Sequence, residues 1–231
     1  MLENNWRKKL NTDEKYNEIL RIVREKLTCS AHNLDHVMRV YNLCLMLAKY
    51  EEDVDLDVLV PAALLHDIAR VEEIEDKTGN TDHAVLGSKI AGDILKSMDY
   101  DEDKVEKISH CILTHRYRTG NEPSTIEAKI LFDADKLDAI GAVGIARTFM
   151  LSGQCGQRLA LINSIDDYLE NNTAENGRIK DWSKHSPLIE YEFKLKKIPD
   201  KLYTGKAKEI GRERVKFMDE FFERLKLEII P

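Results

Sequence analysis

Apolar residues recur every three or four positions along most of the chain, a spacing that predicts amphipathic helices. The pattern predicts helices at about 35–49, 82–98 and 101–116, and a last helix that begins near Thr204. An earlier helix is predicted from Thr12, because acidic residues fall in its first turn and apolar residues follow at helical spacing. The chain shows no strong strand pattern.

One stretch departs from amphipathic spacing because it is apolar on nearly every side. It is Leu59-Val-Pro-Ala-Ala-Leu-Leu-His-Asp-Ile-Ala69, and it predicts a central, buried helix. The stretch contains His66 and Asp67, which are costly to bury without partners. A divalent cation can partner both, since imidazole and carboxylate suit Mn, Fe, Zn or Mg. The dipeptide alone favours the other explanation, a core histidine and a helix-end aspartate that are satisfied by hydrogen bonds.

Four further histidines fall on predicted helices. His36 precedes Val40 by four residues and so lies near the edge of a buried stripe, as a metal ligand or as a satisfied core histidine. His83 lies in a first helical turn, where a ligand or phosphate contact and a plain surface residue are equally compatible with the pattern. His115 shares a face with apolar residues, whereas His110 shares one with acidic residues.

Carboxylates also occur in apolar surroundings. Asp133 and Asp135 both lie on apolar faces of one predicted helix, and spacing cannot choose between them as the buried metal ligand. Such carboxylates need a cation or several hydrogen bonds. Residues 70–80 are polar and predict a loop over the site. Within it Glu72 and Glu73 can orient a water, although exposed loop carboxylates are the simpler interpretation.

Composition narrows the class of protein. The chain has 231 residues, of which 42% are apolar and 33% charged, and its longest apolar run, Val58–Leu65, is far shorter than the ~20 residues that span a membrane. The net charge of −7 argues against general nucleic-acid binding. The N-terminus has no signal-peptide core, and the 4 cysteines form no paired motif. These features predict a reduced, cytoplasmic protein with no membrane or nucleic-acid partner.

The order His36, then His66-Asp67, then Asp135 resembles the HD-domain superfamily of metal-dependent phosphohydrolases. The stretches Ala62-Ala-Leu-Leu-His-Asp-Ile68 and Asp133-Ala-Asp-Lys-Leu-Asp-Ala-Ile-Gly-Ala-Val-Gly-Ile-Ala-Arg147 look like its stand-alone prokaryotic branch, which resembles nucleoside-triphosphate pyrophosphatases. The resemblance implies an all-α fold: a helical bundle forming a single globular domain. It suggests a phosphohydrolase domain over 12–150 and a helical C-terminal extension over 151–231.

The resemblance also implies roles for individual residues. It assigns one or two divalent ions (Mn, Mg, Co, Ni, Fe or Zn) to the chain. It also favours Asp135 over Asp133 as the metal ligand. The implied metal ligands are His36, His66, Asp67 and Asp135. The implied catalytic residues are Asp67, His83 and His115, of which the histidines match positions that hold a second metal or contact phosphate. Candidate contacts to substrate phosphates are Arg39, Lys136 and Arg116.

The activity implied is hydrolysis of a nucleotide, with a (deoxy)nucleoside triphosphate giving the monophosphate and pyrophosphate. One alternative is a phosphatase for nucleoside 5'-monophosphates. Another is a module that binds metal and nucleotide as a sensor without turnover. The implied partner is a small nucleotide, and a homodimer is compatible with the resemblance.

Overall fold

A computed structural model describes residues 14–27, 33–116, 120–159, 165–173 and 179–229. Its secondary structure over these ranges is helical apart from one isolated antiparallel bridge, between Thr173 and Ile179. The predicted all-α fold is confirmed. The chain forms two compact units that are divided after Asp135. The predicted start near Thr12 and Cys29 lie outside the described residues, and the division after residue 150 stays a prediction.

The first unit contains the predicted helices except the last, and one helix that was not expected. The short segment 70–75 is helical rather than a loop, so that part of the prediction is wrong. A single 3-10 turn, Ala48–Tyr50, follows the second helix. The helices of this unit are α1 (Glu14–Lys26), α2 (Leu34–Leu47), α3 (Leu56–Leu65), α4 (Arg70–Glu75), α5 (His83–Ser97), α6 (Glu102–Thr114) and most of α7 (Ile126–Asp138).

Helix α3 is the centre of the first unit. It contacts α1, α2 and α6, and all its residues from Val58 to Leu65 are buried. Burying one leucine side chain contributes about 1.5–3 kcal/mol, so this helix supplies much of the core's stability. Its N-cap is Asp55, whose carboxylate accepts a hydrogen bond from the Asp57 amide. The apolar pattern therefore predicted the central helix correctly.

Helix α3 ends at Leu65, whereas the apolar pattern continues to Ala69. Tight turns follow Leu65, with Ile68 N–H donating to Leu65 C=O and Arg70 N–H donating to Asp67 C=O. His66 is the C-cap, and Asp67 lies in the turn. The prediction that both residues lie on the helix is wrong, since His66 only caps it and Asp67 lies beyond it. The two buried side chains are therefore positioned by these turns rather than by regular helical angles.

Helices α5 and α6 pack closely against each other. The N-cap of α5 is Asp82, whose carboxylate accepts from Ala84 and Val85 N–H. This cap puts His83 at the first helical position, where its buried side chain points into the unit. His115 is the C-cap of α6 and is also buried. The ends of two neighbouring helices therefore bring two histidines together.

The second unit is built on its last helix. Its elements are α8 (Gly141–Gln154), α9 (Ile165–Asn172), α10 (Pro187–Phe193) and α11 (Gly205–Ile229), with 3-10 segments at Trp182–Lys184 and Leu195–Lys201. Helix α11 contacts α8 and the second 3-10 segment. Phe222 of α11 stacks on Tyr191 with ring centroids 4.4 Å apart. Gly141 has φ +77°, a left-handed conformation that favours glycine and allows the chain to turn between α7 and α8.

Among the described residues, none of the helices combines the length and apolar character needed to cross a lipid bilayer.

Candidate metal centre

Four histidines and Asp67 converge at one place in the first unit, and all five side chains are buried. Helix α2 supplies His36, the turn after α3 supplies His66 and Asp67, and the ends of α5 and α6 supply His83 and His115. These residues form two groups of possible metal ligands that share Asp67. The first triad is defined as His36, His66 and Asp67. The second triad is defined as Asp67, His83 and His115.

The first triad has the spacing of ligands around one ion. The two Nε2 atoms of His36 and His66 are 3.3 Å apart. Asp67 Oδ2 lies 3.5 Å from the first of these atoms and 3.7 Å from the second. Ligand atoms about 2.1 Å from a common ion are about 3.0–3.4 Å apart in octahedral or tetrahedral geometry. Small inward movements would bring the three atoms to that spacing.

The second triad repeats this spacing around the other oxygen of the same carboxylate. The Nε2 atoms of His83 and His115 are 3.2 Å apart. Asp67 Oδ1 lies 3.5 Å from His83 Nε2 and 3.7 Å from His115 Nε2. Each oxygen of Asp67 therefore faces its own pair of imidazole nitrogens. A carboxylate placed in this way can bridge two cations.

Hydrogen bonds at the opposite ring nitrogens fix the tautomers. His66 Nδ1 donates to the Ala63 carbonyl at 2.9 Å, and His115 Nδ1 donates to the Ile112 carbonyl at 2.6 Å. A carbonyl oxygen can only accept, so each Nδ1 carries the proton. When these rings are neutral, each Nε2 presents a lone pair to its triad. Metal-binding histidines are oriented in this way by an acceptor at the far nitrogen.

The protonation states are those that a cation requires. Burial lowers the pKa of His66 to about 4, so this ring is neutral at neutral pH. Burial also lowers the pKa of His83, and the nearby Arg70 guanidinium lowers it further. For Asp67, burial raises the pKa, but the charge of Arg70 and the neighbouring imidazoles outweigh it and hold the pKa well below its usual range. Neutral imidazoles and an ionised carboxylate are the ligand forms of these groups.

The hydrogen bonding of Asp67 tests whether these residues fit a cation. Both of its oxygens are buried, and neither accepts a hydrogen bond from the residues that the structure describes. Its nearest charged partner is Arg70, whose Nη2 lies 3.4 Å from Oδ1. An ionised carboxylate buried in this way is costly unless a further positive charge is present. The donor set, the spacing and this carboxylate all fit divalent cations.

The structure brings Asp135 to the first triad. Asp135 Oδ1 lies 3.4 Å from His36 Nε2, and its side chain is 17% exposed. Asp133 is fully buried on the same helix. The two aspartates are two residues apart on α7, so their side chains point to different sides of the helix. The position of Asp135 matches the ligand that the resemblance implies, and its role as a ligand stays a proposal.

The candidate phosphate contacts lie in different surroundings. Arg39 is half-buried, one helical turn after His36 on α2. Arg116 is engaged by two carboxylates, since its Nη1 lies 2.9 Å from Glu73 and 2.6 Å from Asp82. Lys136 is buried and is the first residue of the second unit. These positions leave the three substrate contacts as predictions.

Sequence reasoning missed the residues that surround the second triad. Glu73 was expected to be an exposed loop carboxylate, yet its side chain is only 17% exposed and accepts from His83 Nδ1 at 2.9 Å. Arg70, which the sequence analysis did not weigh, donates to Glu73 at 2.7 Å and lies beside Asp67. The signal that could have found them is the spacing of Arg70 and Glu73, which are neighbours on one helical turn.

Comparisons with known proteins identify the family. A family model, the HD domain, matches residues 33–140. The chain is 30% identical over 204 residues to the YpgQ protein of Bacillus subtilis, covering 87% of this chain and 85% of that protein.

Solved structures give the same result. A predicted HD superfamily hydrolase from an uncultured Thermotogales bacterium is 30% identical, with a TM-score of 0.60 over 92% of this chain and 91% of that one. An HD-superfamily hydrolase from Bacillus thuringiensis is 27% identical, with a TM-score of 0.66 over 93% and 96%. The structure of B. subtilis YpgQ in complex with ADP is 27% identical, with a TM-score of 0.67 over 93% and 97%.

Three observations lead to one conclusion: the paired His66-Asp67 at the end of a buried helix, the convergent histidines, and the extent of these matches. The chain belongs to the HD superfamily of hydrolases.

Proposed function

We propose that this protein is a metal-dependent phosphohydrolase that cleaves a (deoxy)nucleoside triphosphate to the monophosphate and pyrophosphate. The single observation that carries the metal dependence is the position of Asp67, a buried carboxylate whose two oxygens each face a pair of histidine nitrogens. The first triad together with Asp135 would hold one ion, and the second triad would hold another. The ion identity, from Mn, Mg, Co, Ni, Fe or Zn, is left to experiment.

The residues of the chain have distinct tasks in this proposal. A bound divalent ion supplies a water of lowered pKa and a Lewis acid for a phosphoryl oxygen. His66 and His115 keep their Nε2 lone pairs aimed into the triads because backbone carbonyls hold their Nδ1 protons. The strongly lowered pKa of Asp67, where Arg70 and His66 outweigh burial, makes it a weak proton acceptor. Its charge therefore favours the task of a shared ligand over that of a general base.

A nucleotide is proposed as the substrate from two observations. The YpgQ protein, which is similar to this chain over most of both lengths, has been crystallised in complex with ADP. The resemblance of the segment from Asp133 to Arg147 to the pyrophosphatase branch favours a triphosphate. Arg39, Lys136 and Arg116 remain the candidate contacts for its phosphates, because guanidinium and ammonium groups bind phosphate oxygens.

The test is a panel of nucleoside mono-, di- and triphosphates assayed with Mn, Mg, Co and Ni, with inorganic phosphate and pyrophosphate measured separately. We expect pyrophosphate from triphosphates and no turnover after chelation. The Asp67→Asn variant should be inactive, while His110→Ala, whose ring bonds Ser124 away from the triads, should remain active. Phosphate released mainly from monophosphates would favour the phosphatase. Tight nucleotide binding with no turnover under any metal would favour the sensor.

A further inference from the structure

We propose that Glu73 is the positioning residue of the second triad. In this proposal its carboxylate holds the Nδ1 proton of His83, and so keeps His83 Nε2 aimed at the cation shared with Asp67 and His115. The proposal rests on the proposed function, since it presupposes a cation at the second triad. It concerns a residue that would touch neither the ion nor the substrate.

The contact at His83 determines the direction of the hydrogen bond. Glu73 Oε2 lies 2.9 Å from His83 Nδ1, and Arg70 Nη1 lies 3.2 Å from the same atom. A carboxylate can only accept and a guanidinium can only donate, so the shorter contact assigns the proton to His83 Nδ1. Arg70 Nη1 then donates to Glu73 Oε2, at 2.7 Å. In the neutral ring this arrangement leaves Nε2 as a lone pair, 3.5 Å from Asp67 Oδ1.

This anchor differs in kind from those of the other histidines described above. His66 and His115 are held by the carbonyls of Ala63 and Ile112, each three residues earlier in the chain. Those acceptors belong to the backbone, and no side-chain substitution removes them. His83 is held instead by a side chain from another helix. A single substitution at Glu73 can therefore release one histidine of the second triad and leave both backbone anchors in place.

Glu73 is itself held in one orientation by two arginines. Arg70 contacts Oε2, and Arg116 Nη1 contacts Oε1 at 2.9 Å. Arg116 also reaches Asp82, the N-cap of α5, at 2.6 Å. The cluster of Arg70, Glu73, Asp82 and Arg116 thus joins α4, the start of α5 and the residue after His115. Both histidines of the second triad are linked to this cluster. His83 donates a hydrogen bond to Glu73, and His115 directly precedes Arg116 in the chain.

If Glu73 had only a structural role, its ion pairs would be expected to lie over apolar core residues. Helix α4 contains no buried residue, so the ion pairs of Glu73 do not close over an apolar core. Glu72, its neighbour on α4, shows what an ordinary carboxylate of this helix does: it pairs with Lys26 at 3.3 Å, and its side chain is 38% exposed. A carboxylate that orients a metal-binding histidine typically changes metal affinity or activity 10–100-fold when it is mutated.

The test compares the wild type with Glu73→Ala, Glu73→Gln and the control Glu72→Ala. Each chelated protein is titrated with Mn²⁺ by equilibrium dialysis, and the loaded samples are examined by electron paramagnetic resonance. We expect the wild type to bind two ions and to show the exchange-coupled signal of a bridged pair. Glu73→Ala should keep the tighter ion, bind the other about 10–100-fold more weakly, and show the sextet of an isolated Mn²⁺. Glu73→Gln, whose amide oxygen still accepts from Nδ1, should recover part of the affinity. Glu72→Ala should match the wild type.

Each other result overturns the proposal. Two ions bound by Glu73→Ala with wild-type affinities would remove the role of Glu73 and leave the proposed hydrolase standing. Equal loss of both ions in the Ala and Gln variants, with a lower melting temperature, would show that Glu73 holds the fold and not one cation site. If the alanine variant fails to fold, Glu73→Met, which fills similar volume but offers Nδ1 no carboxylate or amide oxygen, replaces it, and wild-type affinities in that variant have the same meaning as in the first case. A wild type that saturates at one ion also overturns the proposal, and the nucleotide panel on that sample then decides separately whether the hydrolase stands.

Discussion

Replacing Asp67 by asparagine should lower stability, and should do so more with metal than without it. The amide has nearly the same shape as the carboxylate, but it lacks the negative charge that two cations would share. Without metal, the wild type keeps a buried carboxylate whose oxygens accept no hydrogen bond from the described residues. Its nearest cationic partner is Arg70, whose Nη2 lies 3.4 Å from Oδ1, and removing one partner of a buried charge pair is destabilising. We therefore expect chelated Asp67→Asn to melt below the chelated wild type, and metal to widen the difference.

The magnitude with metal follows from binding linkage. An ion present at 100 times its dissociation constant stabilises the folded state by about 2.7 kcal/mol. For a chain of this size, 1 kcal/mol shifts the melting temperature by about 2–4 °C, so each occupied triad should add about 5–11 °C. His66→Ala and His83→Ala should each remove one such increment, because each belongs to one triad. Asp67→Asn should remove both.

The assay is differential scanning calorimetry of chelated protein, with and without Mn²⁺, for the wild type and these three variants. His110→Ala is the matched control, since its ring bonds Ser124 and lies in neither triad. If Asp67→Asn retains half of the metal-induced shift, the carboxylate does not serve both triads. If His83→Ala loses the whole metal-induced shift in melting temperature, the two triads do not bind ions independently. The inference that each triad is a separate site would then be wrong.

Three further predictions concern single residues. His115→Ala should lower turnover by one or more powers of ten while His110→Ala changes it little, and normal turnover in His115→Ala with an inactive, folded His110→Ala would contradict this assignment. Asp135→Asn should weaken metal retention at the first triad, whereas Asp133→Asn should not, as measured by metal analysis after dialysis. For metal-free protein, burial lowers the folded pKa of His66 from 6.5 to about 4, so the unfolded chain binds more protons between these values. Its unfolding free energy should therefore fall by up to roughly 3 kcal/mol from pH 6.5 to pH 4, and calorimetry of His66→Gln should show a flatter dependence.

Much of this site could be predicted because it depends on helical periodicity. The spacing that places His115 with apolar residues and His110 with acidic ones agrees with the structure, in which the first is buried and the second half-buried. The continuous apolar pattern before His66 likewise predicts the buried helix α3. Periodicity works here because a long helix has one face against the core, and every residue on that face shares its environment.

The surroundings of the second triad could not be predicted in the same way. Helix α4 has only 6 residues, too few for a period to be read, and Glu73 is partly buried by ion pairs with residues from other elements. The ion-pair partners of Glu73 are set by how α5 and α6 pack, and helical periodicity does not reveal that packing. The choice between Asp133 and Asp135 failed for a related reason: both lie on apolar faces, and only the position of His36 in space separates them.

The position of His66 and Asp67 directly after α3 links the chemistry to the evolvability of the core. Because α3 is buried on all sides, a substitution that weakens it also loosens the metal ligands attached to its end. Conversely, an ion that binds only the folded chain would offset part of such damage. Core variants such as Leu64→Ala should therefore be tolerated when metal is plentiful and lost when it is scarce. The supply of metal in the cell would then decide which core sequences selection can accept.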